Sequence, residues 1–390
     1  MYKIQTLNEI SDIIHSQLSA DQYTVTRDEP VPDAILVRSA DMHSLDLPES
    51  LQAIARAGAG VNNIPIDACS KRGIVVFNTP GANANAVAEL VVAGLLLCSR
   101  NVTGGIEWAA TLKGKGDEVA KLVEKGKNQF VGPEVRGKTL GVIGLGAIGS
   151  LVANCALNGL GMEVIGLDPS ITVEHAWSLS RGIKRASSLE ELLQKSDYVT
   201  VHVPLTAKTK GMFDFHLFTL MKTDARLLNF SRAELVDGDA CRAALKSKKL
   251  GAYVTDFPTD DMLGIPGVIC IPHLGASTPE SEENCARMAA AQLRDYLETG
   301  TIRNSVNMPE IVLSGQPEGC RILLIHENVP NMVSNMSAAI SREGININNM
   351  INKSLKEMAV TVMELSQVPT EELTAELNAQ PGVIKVRVWH

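Results

Sequence analysis

A glycine-rich turn between an apolar run and a helical pattern constrains the fold of this chain more than any other feature. Residues 138–149 read Lys-Thr-Leu-Gly-Val-Ile-Gly-Leu-Gly-Ala-Ile-Gly, and the next apolar run ends at Asp168. In a strand–turn–helix–strand unit, Gly144 permits the tight turn, Gly146 lets the backbone approach a pyrophosphate, and Gly149 lets helix and strand pack closely. The helix N-terminus then binds the phosphates, and Asp168 accepts hydrogen bonds from a ribose. The pattern predicts a dinucleotide-binding unit that prefers NAD.

Composition excludes several classes of protein. The chain has 390 residues, of which 45% are hydrophobic and 21% charged, with a net charge of −8. At about 150 residues per domain we expect two or three domains. The negative charge disfavours nucleic acid and anionic membranes as partners, and no apolar run approaches the ~20 residues of a membrane span. Without a signal-like N-terminus or a Cys-x-x-Cys pair, we expect a cytoplasmic protein with free thiols and no metal site.

Apolar runs alternate with helical patterns in two successive segments, which is typical of parallel α/β sheets. In the first segment we predict strands at 34–37 and 73–77 and a helix at 50–56, followed by an apolar helix at 85–100. In the second we predict six strands and then a long helix, at 140–143, 164–167, 198–203, 225–229, 252–256, 268–271 and 278–299. This order predicts two doubly wound domains.

The pattern changes after residues 304–318, whose prolines and glycines indicate a linker. Four strands and two helices are predicted beyond it, with the strands at 321–325, 345–347, 358–363 and 383–388. A βαββαβ order of this length is typical of a ferredoxin-like domain. We therefore predict a separate small domain at the C-terminus.

Candidate catalytic side chains follow two of the predicted strands. Arg232 comes after the strand at 225–229 and His273 after the strand at 268–271, with an acidic loop at 256–261 between them. Ligands bind at the carboxyl ends of such strands, where an arginine can hold a carboxylate and a histidine can act as general base. A surface arginine, a structural histidine and a solvated turn are the alternatives at this point.

Several segments in order resemble the D-2-hydroxyacid dehydrogenase family, in its D-3-phosphoglycerate dehydrogenase branch with a C-terminal ACT domain. The resemblance is carried by Asn-Thr-Pro-Gly-Ala-Asn at 78–83, the glycine motif, Val-His-Val-Pro-Leu-Thr at 201–206, the Arg232 loop and Pro-His-Leu-Gly-Ala-Ser-Thr at 272–278. It implies a substrate domain, an NAD-binding Rossmann domain, a linker and an ACT domain. Their expected bounds are 1–92 with 283–304, 93–282, 305–317 and 318–390.

The resemblance also implies roles for individual residues. Arg232 would bind the substrate carboxylate, and His273 would take the hydroxyl proton as a hydride leaves for NAD. Asp261 would pair with His273, although the adjacent Asp260 is an open alternative. The residues expected to contact NAD are Thr79, Gly144, Gly146, Ala147, Ile148, Gly149, Asp168, Val203, Asp256 and Gly275.

The chain departs from the family pattern at four positions. Ala233 follows the catalytic arginine where glycine is usual, and Asp261 stands in place of the usual glutamate. Asn62 occupies a position where many relatives have aspartate, and Asn331 replaces a glycine in the C-terminal domain. The shorter Asp261 side chain and a shortened loop before His273 lead us to expect altered geometry in the acid–histidine pair.

The same resemblance implies oxidation of D-3-phosphoglycerate as the first step of L-serine biosynthesis. Arg38 and Arg56 would hold the phosphate, with Asn83 also at the substrate. A reductase for unphosphorylated hydroxypyruvate or glyoxylate and a non-catalytic NAD(H)-sensing protein are the rival functions.

The resemblance further implies a homodimer or homotetramer. In the C-terminal domain His326, Asn328 and Asn346 would line an interface pocket for L-serine. Amide side chains suit such a ligand because they both donate and accept hydrogen bonds. A domain that serves subunit pairing alone is the alternative.

Overall fold

Two parallel sheets form the framework of the chain, as the alternation of apolar runs predicts. The structure, a computed structural model, describes residues 1–313, 315 and 319–390. These residues divide into two compact units. The first unit comprises 1–82 with 282–390, and the second comprises 83–281.

The first unit begins with a five-stranded sheet. Its elements are β1 (Tyr2–Leu7), β2 (Tyr23–Thr26), β3 (Ala34–Val37), β4 (Ala53–Arg56), α1 (Ile66–Lys71) and β5 (Val75–Phe77). The strands are parallel and lie in the order β2-β1-β3-β4-β5. Crossover connections of this kind produce the predicted doubly wound arrangement.

Strand β4 corrects one sequence-based prediction. Residues 50–56 are predicted to be helical, but Ala53–Arg56 pairs with β3 on one side and β5 on the other. Ala53, Ile54 and Ala55 are fully buried. A short apolar run does not distinguish a buried strand from a buried helix, so here the sheet neighbours decide.

The second unit contains a seven-stranded parallel sheet. Its helices are α2 (Ala84–Ser99), α3 (Val102–Ala110), α4 (Val119–Gly126), α5 (Ala147–Asn158), α6 (Val173–Ser178), α7 (Leu189–Lys195), α8 (Phe215–Leu220) and α9 (Gly238–Lys246). Its strands are β6 (Thr139–Ile143), β7 (Glu163–Leu167), β8 (Lys184–Arg185), β9 (Tyr198–Val201), β10 (Ala225–Asn229), β11 (Leu250–Thr255) and β12 (Val268–Cys270). The order is β12-β11-β10-β9-β6-β7-β8, so the chain reverses its winding between β6 and β9. A ligand crevice is expected at that switch point.

Helix α2 belongs to the second unit and sets its boundary. Val91 and Leu95 of this helix lie in one apolar core with Leu140 of β6 and Leu228 of β10. The unit therefore begins at residue 83, before the helix, whereas the predicted boundary at 92/93 cuts through it. Among the described helices none is by itself long and apolar enough to cross a membrane; α2 and α3, bent by 71°, meet those criteria only as a pair.

Helix α10 (Pro279–Thr299) leads back to the first unit and to the C-terminal segment. The remaining elements are β13 (Cys320–Glu327), α11 (Met332–Arg342), β14 (Ile347–Leu355), β15 (Met358–Leu365), α12 (Glu371–Ala379) and β16 (Val383–Trp389). The strands form an antiparallel sheet in the order β14-β15-β13-β16. This is the predicted ferredoxin-like βαββαβ arrangement. Residues 314 and 316–318 of the predicted linker lie outside the described residues.

Within the first unit, the C-terminal sheet packs against the five-stranded sheet and α10 through β16 and one of its faces. Leu323 and Val360 share an apolar core with Ile4 and Leu36. The indole Nε1 of Trp389 donates to the Leu297 carbonyl at 2.7 Å. The C-terminal elements are therefore joined to the first sheet by a continuous core as well as by the chain.

Candidate active site

The glycine motif forms a tight turn at the switch point of the second sheet. Gly144 follows β6 with φ 88°, a left-handed conformation that favours glycine, and a side chain there would overlap the His202 carbonyl oxygen. A side chain on Gly149 would overlap the carbonyl oxygen of Gly144. No atom of the described residues lies within 4 Å of the position that a Cβ of Gly146 would take. These constraints match the separate roles expected of the three glycines.

Asp168 lies directly beyond β7 and is fixed by the backbone. Its Oδ2 accepts from the Leu145 amide at 2.8 Å, and its Oδ1 accepts from the Ser170 amide at 2.8 Å. Helix α5 begins at Ala147, so the first-turn amides of Ala147 and Ile148 belong to its N-terminus. Open space at Gly146, a helix N-terminus and a carboxylate beside the loop together fit a pyrophosphate and a ribose.

The loop after β10 holds Arg232 through its neighbours. The side-chain Nδ2 of the buried Asn229 donates to the Arg232 carbonyl at 2.8 Å. The Ser231 hydroxyl donates to the Val201 carbonyl at 2.8 Å. These bonds tie the loop to β10 and β9, while Arg232 is itself exposed and its Nη1 donates to the Ser231 carbonyl at 2.6 Å. Sequence reasoning missed both residues, although Ser231 directly precedes the arginine and Asn229 lies three positions before it.

Phe257 lies between the two predicted catalytic side chains. Its ring centroid is 4.4 Å from that of the His273 imidazole. The Arg232 guanidinium carbon is 5.4 Å from the centroid of the same ring. The structure thus brings Arg232 and His273 to one edge of the sheet, as predicted, and adds an aromatic residue that sequence reasoning did not single out.

In the acidic loop the structure differs from the prediction that Asp261 pairs with His273. The carboxylate of Asp261 forms an ion pair with Arg242 of α9. A hydrogen bond from Thr259, and then this ion pair, lower the pKa of Asp261. Asp260 is exposed. Neither carboxylate is hydrogen-bonded to His273 in the described structure, because the loop directs Asp261 to α9.

Asp256 is a buried carboxylate near His273. It is 1% exposed, and its Oδ1 has no hydrogen-bond partner among the described residues. Burial raises the pKa of Asp256, whereas the nearby His273 and Arg232 act in the opposite direction. Gly275 lies beside this carboxylate, since a Cβ on Gly275 would be 3.4 Å from Asp256 Oδ2.

The remaining predicted residues are divided between the two units. Val203 follows β9 and lies against Gly144, and Asn83 directly precedes α2. In the first unit Thr79 is fully buried, and its hydroxyl has no partner among the described residues. Arg38 and Arg56 are adjacent there, since the Arg56 Nε donates to the Arg38 carbonyl at 3.1 Å.

The three predicted effector residues lie at both ends of the C-terminal sheet. His326 is buried, and its ring nitrogens bond to the Glu327 carbonyl and the Thr361 hydroxyl at 2.7 and 2.9 Å. The Asn328 side chain donates to the Lys356 carbonyl at 3.1 Å, at the same end. Asn346 lies at the opposite end, beside the Ser366 amide that donates to its carbonyl. One copy of the domain does not bring the three into a single pocket.

Comparisons with known proteins agree with this geometry. The family described as D-isomer specific 2-hydroxyacid dehydrogenase, NAD binding domain, matches residues 95–275. The chain is 34% identical to D-3-phosphoglycerate dehydrogenase of Escherichia coli K12, over 88% of this chain and 82% of that protein. It is 37% identical to the enzyme of the same name from Methanocaldococcus jannaschii, over 72% of this chain. The chain spans about half of that relative's length, 52%.

Solved structures give the same relationship. One is NAD+-bound 3-phosphoglycerate dehydrogenase of Entamoeba histolytica, with a TM-score of 0.59 and 27% identity, covering 80% of this chain and 99% of that one. Another is D-mandelate dehydrogenase of Rhodotorula graminis, with a TM-score of 0.66 and 25% identity over 80% and 99% of the two chains.

Proposed function

Because the chain belongs to the D-isomer specific 2-hydroxyacid dehydrogenase family, in its D-3-phosphoglycerate dehydrogenase branch, we propose that it oxidises D-3-phosphoglycerate to 3-phosphohydroxypyruvate with NAD. This reaction opens the phosphorylated route to L-serine. The observation that carries the proposal is the pairing of Arg232 and His273 around Phe257 at the carboxyl edge of the NAD-type sheet. A protein that only sensed NAD(H) would not require that pair.

The protein's own residues account for the proton and the charge. Arg232 presents a guanidinium fork that suits the substrate carboxylate and holds C2 in place. His273 takes the C2 hydroxyl proton through an imidazole nitrogen. NAD, when bound, accepts the hydride that leaves C2. Asp256 lies near His273 and balances the positive charge that the ring acquires.

Phosphate selectivity separates this function from that of a reductase for unphosphorylated acids. Arg38 and Arg56, both at strand ends of the first sheet, supply two adjacent cations for a dianion. Arginine suits phosphate because its planar fork can donate two hydrogen bonds. The phosphorylated substrate is therefore the one that the first unit favours.

The test is NADH formation with D-3-phosphoglycerate and with D-glycerate, which lacks the phosphate. We expect turnover of the first and a much higher KM for the second. His273→Gln should lower kcat by roughly 10²–10⁴-fold while NAD still binds in a fluorescence titration. Equal kcat/KM for the two acids would instead assign the chain to the reductases that act on unphosphorylated acids.

We further propose that the C-terminal domain is an ACT domain which binds L-serine between two copies of this chain. Asn346 precedes Ile347, which lies level with Cys320 in the sheet because both pair with Leu365 of β15. His326 lies six positions after Cys320 along β13. At 3.3 Å per residue, about 20 Å separates the two ends of the sheet. A pocket that uses both ends therefore needs a second copy in opposite orientation, which supports a homo-oligomer.

A further inference from the structure

The proposed function assigns Arg38 to the substrate phosphate, but in this structure Arg38 forms an ion pair with a carboxylate of the protein. Arg38 follows β3 directly, and its Nη2 donates to the Glu282 Oε1 at 2.5 Å. Glu282 belongs to α10, and both side chains are less than half exposed, at 43% and 44%. Glu282 is not among the site residues expected from the sequence.

The neighbouring Arg56 makes the local charge unbalanced. Its Nε donates to the Arg38 carbonyl, and burial, together with the Arg38 charge, lowers the pKa of Arg56. No carboxylate is ion-paired with Arg56 among the described residues. A side chain on Gly58 would overlap the Arg56 guanidinium, so the glycine leaves room for it. The two adjacent arginines thus carry two positive charges against the single negative charge of Glu282. A phosphate dianion would balance both charges.

Resting on the proposed function, we propose that Glu282 is an internal counter-ion that competes with the substrate phosphate for Arg38. Without substrate, its carboxylate holds the guanidinium and compensates its charge. When phosphate binds, Arg38 exchanges the carboxylate for phosphate oxygens, and Glu282 must give up its bond. Glu282 therefore sets the affinity for phosphorylated substrates without taking part in the transfer of hydride.

The test compares the full-length protein with Glu282→Gln, which keeps the shape of the side chain and removes its charge. Glu283→Gln is the matched control, because Glu283 is adjacent, exposed and without an ion pair in the described residues. The readouts are the Kd of inorganic phosphate by calorimetry and the KM values for D-3-phosphoglycerate and D-glycerate. Arg38→Ala, alone and with Glu282→Gln, completes a double-mutant cycle.

We expect Glu282→Gln to lower the phosphate Kd and the KM for D-3-phosphoglycerate by roughly two- to fivefold, the range of an exposed ion pair. The kcat and the KM for D-glycerate should not change, and the gain should vanish in the Arg38→Ala background. Unchanged or weaker phosphate binding in Glu282→Gln would overturn the inference. Tighter phosphate binding without turnover of D-3-phosphoglycerate would sustain it and reject the proposed substrate.

Discussion

Two aspartates five positions apart in one loop have opposite surroundings. Asp256 is buried near His273, and its Oδ1 has no hydrogen-bond partner in the part of the chain that the structure describes. Asp261 is exposed and bound to Arg242. The resemblance to the family assigns the pairing with histidine to Asp261. The structure supports Asp256 as the carboxylate that senses charge on His273.

Substitution of each aspartate by asparagine separates these assignments. We expect Asp256→Asn to lower kcat by at least roughly tenfold and to alter the pH dependence of kcat/KM, because the charge near His273 is lost. Asp261→Asn should retain most of kcat, since it removes an exposed ion pair worth at most about 1 kcal/mol. The measurement is a pH–rate profile for each variant. A large loss confined to Asp261→Asn would restore the pairing inferred from the family.

Asp168 fixes the choice of cofactor through its charge and its rigid position. Two backbone amides hold its carboxylate at 2.8 Å each, so it does not turn away from a 2′-phosphate. We expect kcat/KM to favour NAD over NADP by at least roughly tenfold, or about 1.4 kcal/mol. Asp168→Ala should lower the ratio of kcat/KM for NAD to that for NADP, mainly because it weakens the binding of NAD. Equal kcat/KM for the two cofactors in the unmodified protein would contradict the assignment.

At the scale of elements, local patterns predicted those features whose cause is local. The glycine turn, helix α10 and the βαββαβ order all follow from spacing and turn residues. Asn331, which replaces a glycine of the family pattern, has φ 68° at the start of α11, a left-handed conformation that asparagine tolerates. Strand β4 and the partner of Asp261 could not be predicted, because β3, β5 and α9 decide them from distant parts of the sequence.

The residue directly after strand β9 is His202, a histidine whose burial makes stability depend on pH. The His202 Nε2 bonds to the Thr200 hydroxyl at 2.9 Å, its Nδ1 has no partner among the described residues, and burial lowers the pKa of His202 to about 4. Between this value and the ordinary pKa of about 6.5, the unfolded chain binds the proton and the folded chain does not. Stability contributed by neutral His202 is therefore complete above pH 6.5 and is lost as pH falls toward 4.

Urea unfolding at pH 7 and pH 5 measures this contribution. We expect His202 to account for about 2 kcal/mol of the decrease in unfolding free energy over that interval. His202→Gln should remove this part of the decrease, whereas the exposed His216→Gln should leave it intact. A pH dependence that is the same in both variants would show that His202 does not carry it.

At the scale of the whole molecule, the C-terminal domain has two different surfaces. Strand β16 and one face of its sheet pack against the rest of the first unit through Trp389 and the shared core. Strand β14 is the opposite edge, and most of its residues are exposed. An edge strand with unpaired backbone groups is available to a second chain. Asn346 directly precedes this strand, so a pairing there would place it near the partner's loops.

Mixed oligomers test whether the serine pocket is shared between chains. Asn328→Ala and Asn346→Ala should each abolish L-serine binding, because every pocket of a symmetric pair takes one of these residues from each chain. In a pair that combines one chain of each variant, one pocket carries both substitutions and the other is intact. Co-expressed, doubly tagged pairs should therefore recover one serine site per two chains in calorimetry. If the mixed pairs bind no serine while the unmodified protein does, the pocket lies within one chain; if the unmodified protein binds none, the domain serves subunit pairing alone.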